Sequence, residues 1–224
     1  LFEVNILNST KHPTKPIYIK IPFILNEDVA SIAGMMPDGS LIKDLMRIYF
    51  HQEKDPTKID LFDHLLVKLF SSKIYTLRKK DRDGRITQVY VNSKTLALFF
   101  YYILKIPKSD EPMRIPKWIF AAPKKVRVAY LKQAFDMEGT ILKKLTEIRF
   151  VSKDENFAKD IKELLSLVGI ESHITFVPRL YMTSGQYRVS IYRKGNFEKF
   201  KEVGFRIPFL KERFQNLLYK YDIA

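Results

Sequence analysis

Residues 129–140, AYLKQAFDMEGT, form an apolar, helix-compatible run that ends in an acidic residue, a glycine and a hydroxyl residue. Residues 29–40, VASIAGMMPDGS, end in the same order one hundred positions earlier. The spacing continues beyond both runs, because Gly39 to Phe50 and Gly139 to Phe150 cover the same distance. A constant offset over this many positions predicts an internal duplication of the chain.

The bulk composition indicates a folded, strongly basic protein. The chain has 224 residues, of which 46% are hydrophobic and 13% aromatic, enough for one large domain or two small ones. Lys and Arg number 39 against 25 Asp and Glu, which gives a net charge of +14. A positive field of this strength favours a nucleic acid as the partner.

Two absences in the sequence limit the chemistry and the location. No cysteine is present, which excludes disulfides, thiolate zinc sites and cysteine nucleophiles. No stretch is long and apolar enough to span a bilayer, and residues 1–16 lack the apolar core of a signal peptide. We therefore expect an intracellular protein, cytoplasmic or organellar.

The order of the predicted elements divides the chain into four parts. We expect an extended N-terminal arm over residues 1–25, a first repeat over 26–105, a linker over 106–119 and a second repeat over 120–224. Prolines interrupt the arm and the linker, as is typical of such segments. Asn26 is the expected N-cap of the first helix. Each repeat predicts a helix, two strands, a helix, two strands and a closing helix.

Alternation of residue types predicts sheets with one apolar face. In residues 46–52, Ile48 and Phe50 point one way and the polar side chains between them point the other. Apolar positions at helical spacing in residues 59–69 and 157–168 predict helices that cover the apolar faces. Turn sequences at residues 81–84 and 183–185 predict a hairpin in each repeat.

The two motifs resemble those of a known family. Residues 131–139 resemble the nine-residue motif that names the LAGLIDADG homing endonucleases, and residues 31–39 resemble a weaker copy. The resemblance covers nearly everything after residue 26. It implies an α+β fold of two pseudo-symmetric αββαββα repeats, which form a saddle with antiparallel sheets on the DNA-facing side. It also implies sequence-specific cleavage of double-stranded DNA.

Asp38 and Glu138 are the acids that end the two motifs. Small residues such as Ala30 and Gly34 leave one face of the first motif helix bare, so another helix could pack closely there. Such packing would bring the two carboxylates together around a cation, for which Mg²⁺ is suited. A metal there could activate water and stabilise in-line displacement at a phosphodiester. An Asp-Gly pair is also a common turn, but matched acids in both copies favour a functional role.

The resemblance assigns roles to particular residues. In the family the last acid of each motif binds the metal, which implies that Asp38 and Glu138 are the catalytic metal ligands. Mg²⁺ is the expected cofactor, with Mn²⁺ as a substitute. Further catalytic candidates, by position in the family pattern, are Gln52, Lys153, Arg193 and Lys194. Repeat one has Asn92-Ser93 in place of the last basic pair, so one half-site is less complete. Asp136 is expected to cap or to pack.

The outward sheet faces are the expected DNA-binding surface, because two antiparallel sheets can lie along a major groove. In the first repeat the outward positions by alternation are Arg47, Tyr49, His51, Arg78, Lys80, Arg85 and Gln88. In the second repeat they are Arg149, Thr175, Arg179, Arg188, Ser190 and Tyr192. Alternation in residues 73–80 is ambiguous and permits a shift by one.

The sequence thus predicts a Mg²⁺-dependent DNA endonuclease, a monomer with a long non-palindromic target, because two different half-surfaces replace a homodimer. One alternative is a DNA-binding regulator or an RNA-splicing maturase of the same fold that does not cleave. A second is the endonuclease domain of a self-splicing protein, with which Leu1 in place of methionine is compatible, although splicing motifs are not visible. A third is a basic RNA-binding protein, for which Tyr49 and Tyr192 supply few aromatic platforms.

Overall fold

The computed structural model describes residues 20–22, 24–52, 55–71, 74, 76–178 and 185–223. The chain divides into two compact units, residues 1–111 and 112–224. The predicted N-terminal arm falls mostly outside the described residues, as do Arg179 and most of the turn predicted at residues 183–185. Among the described helices, none combines the length and apolar character that a membrane crossing requires.

Unit 1 has the predicted αββαββα order. Its elements are α1 (Glu27–Met35), a 3₁₀ turn (Met36–Asp38), β1 (Gly39–Leu41), β2 (Arg47–Phe50), α2 (Pro56–Leu69), β3 (Leu77–Lys80), β4 (Ile86–Asn92), α3 (Lys94–Leu98) and a π-helical turn (Phe99–Ile103). The strands form one antiparallel sheet in the order β1-β2-β4-β3.

Unit 2 repeats this order and adds a helix at each end. Its elements are α4 (Lys117–Ala121), α5 (Lys124–Glu138), β5 (Gly139–Ile141), β6 (Ile148–Ser152), α6 (Glu155–Leu167), β7 (His173–Val177), β8 (Gln186–Ile191), α7 (Lys194–Val203) and α8 (Pro208–Lys220). The sheet order is β5-β6-β8-β7, again antiparallel. The predicted α+β fold of two repeats is confirmed.

The first hairpins of the two units match residue for residue. Gly39 pairs with Phe50 in unit 1, and Gly139 pairs with Phe150 in unit 2. Both turns also require a left-handed residue that is not glycine, with φ of 55° at Leu45 and 53° at Leu145. Since leucine rarely adopts this conformation, its presence at both positions indicates that the turn was duplicated with the rest of the repeat.

Local sequence explains where the helices begin. The Asn26 side chain accepts a hydrogen bond from the backbone N–H of Val29 at 3.1 Å and caps α1 as predicted. Asp55 caps α2 through the backbone N–H of Thr57 at 3.1 Å, and Pro56 occupies the first helical position, where no N–H is needed.

The core of each unit lies between the sheet and its helices. In unit 1, the rings of Phe50 in β2 and Phe62 in α2 stack with centroids 4.6 Å apart. In unit 2, Phe150 of β6 contacts Phe135 of α5 at 5.4 Å and Phe157 of α6 at 5.8 Å. The predicted apolar sheet faces are therefore covered by helices, and the opposite faces carry the polar residues.

Two elements differ from the sequence prediction. The strand predicted over residues 73–80 begins only at Leu77. The predicted linker, residues 106–119, is structured: Ile106 is buried, Lys108 forms a parallel bridge to Leu41 beside β1, and residues 117–121 are α4. Ile115 and Ile119 of this segment are also buried, so it is ordered although the boundary between the two units falls within it.

Candidate functional site

Asp38 ends the 3₁₀ turn after α1, where the chain enters β1, and it is only 8% exposed. Its Oδ2 accepts a hydrogen bond from Nε2 of Gln52, and its backbone oxygen accepts one from the N–H of His51 at 2.6 Å. The register of β1 and β2 therefore brings Gln52 to Asp38. The amide fixes one carboxylate oxygen and leaves the other as a potential ligand.

Glu138 is the last residue of α5 and is half-buried ahead of β5. The unit 2 counterpart of Gln52 is Ser152, whose Oγ donates to the backbone oxygen of Asp154 at 3.1 Å and accepts from its N–H at 3.0 Å. Ser152 thus stabilises the start of α6. Lys153 follows it, exposed, at the end of β6 that lies nearest Glu138. The surroundings of the two acids are unequal.

Arg193 and Lys194 are not grouped with Glu138 in unit 2. Gly139 is level with Val189 across β6, and Arg193 lies four residues further along, on the side away from Glu138. At ~3.3 Å per residue this is ~13 Å. Arg193 is instead an exposed residue with φ of 76° before α7, with Nη1 3.9 Å from Glu171. Strand register therefore keeps this basic pair away from Glu138 within unit 2, and the catalytic role expected from its position in the family pattern stays a prediction.

Each motif end supplies one carboxylate to a possible metal site. Among the residues described, no three or more His, Asp or Glu side chains are grouped so that they could hold a metal ion. Asp38 and Glu138 each offer carboxylate oxygens, which are the hard ligands that Mg²⁺ accepts. Each acid therefore fits as one ligand of an ion that fills its other positions with water or phosphate oxygens.

Arg47, Tyr49 and His51 share the outward face of the unit 1 sheet, as predicted. Arg47 donates from Nε to Asn92 Oδ1 at 2.6 Å and from Nη1 to the Tyr49 hydroxyl at 2.9 Å. Its guanidinium also lies 4.4 Å from the ring centroid of Tyr90. These neutral partners hold the arginine in place and leave its charge uncompensated.

Strand β3 departs from the predicted phase. Arg78 is paired with Val89 on the helix side of the sheet and contacts Asp63 at 3.1 Å and Asp60 at 3.3 Å, both in α2. The predicted outward orientation of Arg78 is wrong. Lys79 takes the outward position opposite Gln88, and a register shift after it returns Lys80 to the same side.

Two further unit 1 positions lie at the β3-β4 hairpin. Gln88 is outward and half-buried, in agreement with its predicted orientation. Arg85 precedes β4 and is exposed in the turn, where its N–H donates to Asp81 Oδ1 at 2.9 Å. Arg85 lies outside the paired residues of the strands, so the sheet register does not assign its side chain to either face of the sheet.

The unit 2 sheet has the predicted phase. Arg149 pairs with Ser190, and Thr175 pairs with Arg188, so these four residues share the outward face. Tyr192 follows β8 on the same alternation and is 39% exposed. Arg179 lies outside the described residues.

Glu147 is a residue of the outward face that the sequence interpretation missed. It is only 3% exposed, and its two oxygens accept hydrogen bonds from Nε and Nη2 of Arg149, each at 2.8 Å. Ser190 Oγ donates to the same carboxylate at 2.5 Å. Burial would raise the pKa of Glu147, but the hydrogen bonds from Arg149 and Ser190 outweigh it and leave the pKa below its usual value. The opposite charges of Glu147 and Arg149, two residues apart in the sequence, were the available signal.

Asp136 has the capping role expected for it. Its Oδ1 accepts hydrogen bonds from the backbone N–H of Arg206 at 2.9 Å and of Ile207 at 3.3 Å, directly before α8. Burial raises the pKa of Asp136 to about 6, against the lowering effect of these two N–H groups. Its Oδ2 has no hydrogen-bond partner within the described parts of the chain. The acid ties α5 to the start of α8 and stands apart from the motif end.

Known proteins match this chain in part of their length. Probable translation initiation factor IF-2 of Methanocaldococcus jannaschii is 24% identical over 210 residues, which are 91% of this chain and 17% of that protein. DNA-directed RNA polymerase subunit Rpo1N of the same organism is 27% identical over 238 residues, covering 90% of this chain and 18% of that protein. The chain therefore spans less than a fifth of the length of these curated relatives.

Solved structures share the fold. I-DmoI in complex with DNA and Mn has a TM-score of 0.54 and 17% identity, covering 80% of this chain and 97% of that chain. The homing endonuclease I-WcaI bound to its DNA recognition sequence has a TM-score of 0.57 and 14% identity, covering 85% of this chain and 87% of that chain. Residues 125–203 also match the family model of a LAGLIDADG-like domain. The chain therefore carries a LAGLIDADG-like domain in its second unit and has the two-repeat fold of the LAGLIDADG homing endonucleases.

Proposed function

We propose that this protein is a sequence-specific endonuclease of double-stranded DNA that depends on a divalent metal ion. The observation that carries the proposal is repeated in both units: an acid at the end of a motif helix leads directly into an antiparallel sheet whose outward face is polar. The net charge of +14 supports binding of a polyanion. The likeness to I-DmoI and I-WcaI, both solved with DNA, supports DNA as that polyanion.

Asp38 and Glu138 would hold the metal ion, which we take to be Mg²⁺ with Mn²⁺ as a substitute. When bound, the ion would supply a water of lowered pKa and charge stabilisation at the scissile phosphate. Gln52 donates to Asp38 and so keeps its carboxylate oriented. The exposed amine of Lys153, at the Glu138 end of β6, would attract the phosphate.

The sheets would lie in the major groove and read base edges through the outward side chains. Arg47, Tyr49 and His51 would make these contacts in unit 1, and Thr175, Arg188 and Tyr192 in unit 2. Two different surfaces in one chain would read a long non-palindromic target, and the protein would act as a monomer.

The partial coverage of the relatives supports an origin as an inserted segment. Their names describe translation initiation and transcription, yet each shares about the same 200-residue stretch with this chain. A stretch common to proteins of unrelated activity belongs to neither activity. We infer that this chain corresponds to an endonuclease region carried within unrelated hosts, and we transfer neither host's function to it.

A library selection tests the function. The wild-type protein would be incubated with randomised double-stranded DNA and Mg²⁺, beside Asp38→Asn, Glu138→Gln and, as a control, Glu198→Gln on the exposed face of α7. Ca²⁺ would serve as the non-catalytic ion. We expect the wild type and the control to enrich and cut one long site, and each motif variant to bind that site with at least 100-fold slower cleavage.

The outcomes separate the alternatives. Selection of a sequence without cleavage under any divalent ion would overturn the enzyme proposal and favour the regulator. Preference for structured RNA over duplex DNA would favour the maturase. Unchanged cleavage in both motif variants would remove Asp38 and Glu138 from the metal site.

A further inference from the structure

The outward face of unit 2 contains a carboxylate that DNA would repel. Glu147 is the loop residue directly before β6, and it is almost completely buried beneath Arg149 and Ser190. A buried acid on a surface meant for a polyanion costs affinity unless it has a separate purpose. The bidentate geometry indicates what that purpose is.

Glu147 uses one side of the Arg149 guanidinium. Its oxygens accept from Nε and from one N–H of Nη2, and the end edge of the guanidinium, where one N–H of Nη1 lies parallel to the second N–H of Nη2, has no hydrogen-bond partner among the described residues. The Arg149 side chain is 17% exposed, so a ligand must reach it at this edge. A guanidinium held in this way has lost its rotamer freedom before any partner arrives. Two parallel N–H groups in a fixed plane match the O6 and N7 acceptors that guanine presents in the major groove.

The corresponding face of unit 1 holds its arginine differently. Arg47 is fixed by Asn92 and Tyr49, which are neutral, whereas Arg149 is fixed by a carboxylate. Arg47 therefore keeps its full charge for a phosphate or a base. The charge of Glu147 offsets that of Arg149, so Arg149 contributes little to the non-specific attraction of DNA. Its binding to a base would depend instead on hydrogen-bond geometry.

We propose that Glu147 is a positioning residue that fixes Arg149 to recognise one guanine, and that it thereby sets a base preference in the half-site bound by unit 2. Glu147 itself makes no contact with the DNA. The inference rests on the proposed DNA-binding function and concerns selectivity rather than cleavage.

The test compares wild type with Glu147→Gln, which keeps the shape and removes the charge. The selected duplex and its single-base-pair variants would be bound in Ca²⁺ at several salt concentrations, with unrelated duplex as the non-specific reference. We expect the preference at one guanine to fall about tenfold in Glu147→Gln. The released arginine charge should also tighten non-specific binding and steepen the salt dependence by about one ion.

Two further variants make the result interpretable. Ser190→Ala removes one hydrogen bond to the Glu147 carboxylate. It should reduce the preference for guanine at the same base position by a smaller factor than Glu147→Gln does. Glu198→Gln removes a surface acid away from the sheet and should change neither base preference nor the salt slope. Thermal unfolding of all variants would establish that each is folded.

The failure of this inference differs from failure of the proposed function. If the wild type selects no DNA sequence, the function itself is wrong and so is the role of Glu147. If the wild type selects a site and Glu147→Gln keeps every base preference, only the positioning role is overturned. A uniform loss of affinity for all duplexes, with no position relaxed, also overturns it.

Discussion

At the scale of single residues, Asp136 shows how burial changes the chemistry of an acid. Its folded-state pKa of about 6 exceeds the ordinary 3.8, because burial disfavours the charge more than two backbone N–H groups favour it. The folded state therefore binds the proton more tightly than the unfolded state. The resulting stability is present below pH 3.8 and is lost as the pH rises through 6.

The pH dependence of the stability contributed by Asp136 leads to a prediction for the variant Asp136→Asn. The shift corresponds to ~3 kcal/mol in all, at ~1.36 kcal/mol per pKa unit, and between pH 4 and pH 7 the wild type should lose roughly 2 kcal/mol of it from its unfolding free energy. The variant should lack that component, since an amide does not titrate there. Urea unfolding of both proteins at the two pH values measures the difference. Parallel pH profiles would show that Asp136 does not titrate in this range.

At the scale of elements, each motif helix is joined to its first strand through a glycine. Unit 2 depends on its glycine, Gly139, more than unit 1 depends on Gly39. A Cβ on Gly139 would lie 2.3 Å from the backbone oxygen of Phe135, which cannot move without breaking α5. A Cβ on Gly39 would meet the end of the Met36 side chain at 2.7 Å, which can rotate, and the Tyr49 backbone oxygen at 3.0 Å.

Gly139→Ala should therefore destabilise the protein more than Gly39→Ala. We expect the first substitution to cost about 3 kcal/mol and the second about 1 kcal/mol, in the range of overpacking effects. Chemical denaturation with a single spectroscopic probe gives both values. Equal losses, or a larger loss at Gly39, would mean that the helix end of α5 relaxes more readily than its backbone contact indicates.

At the scale of the whole molecule, the two units are alike in fold and differ in the residues around the motif acid. The motif acid in unit 1 has an amide donor from Gln52, whereas the same position in unit 2 is Ser152, which is engaged in capping α6. Because a duplex cut needs one reaction on each strand, we expect the strands to be cut at different rates.

A supercoiled plasmid carrying the selected site would show this difference as transient nicked circles. Gln52→Leu should slow one strand by about 10- to 100-fold, as expected for loss of a group that orients a ligand. Ser152→Ala, the matched substitution in unit 2, should lower stability by about 1 kcal/mol and leave both cleavage rates nearly unchanged. Equal strand rates in wild type would contradict the proposed inequality of the two sites.

The sequence by itself determined the duplication, the acid-glycine ends of the motifs and the outward face of β2 and β6. These features follow from spacing within a few residues, such as the alternation of Ile48 and Phe50 with polar neighbours, and local spacing is written directly in the chain. Local patterns also predicted the cap at Asn26 and the order of elements in each repeat, whereas for Asp136 the sequence predicted capping or packing without its partner before α8.

Only the tertiary structure decided the remaining features. Strand β3, with sequence LRKK, has no apolar alternation, so its pairing with β4 and the acids of α2 turned Arg78 inward. Register across three strands separated Arg193 from Glu138, and burial under two neighbours made Glu147 a partner of Arg149. The outcomes for Arg78 and Arg193 depend on contacts between residues distant in sequence, and the burial of Glu147 depends on Ser190 in β8. No local pattern contains the free energy of such contacts.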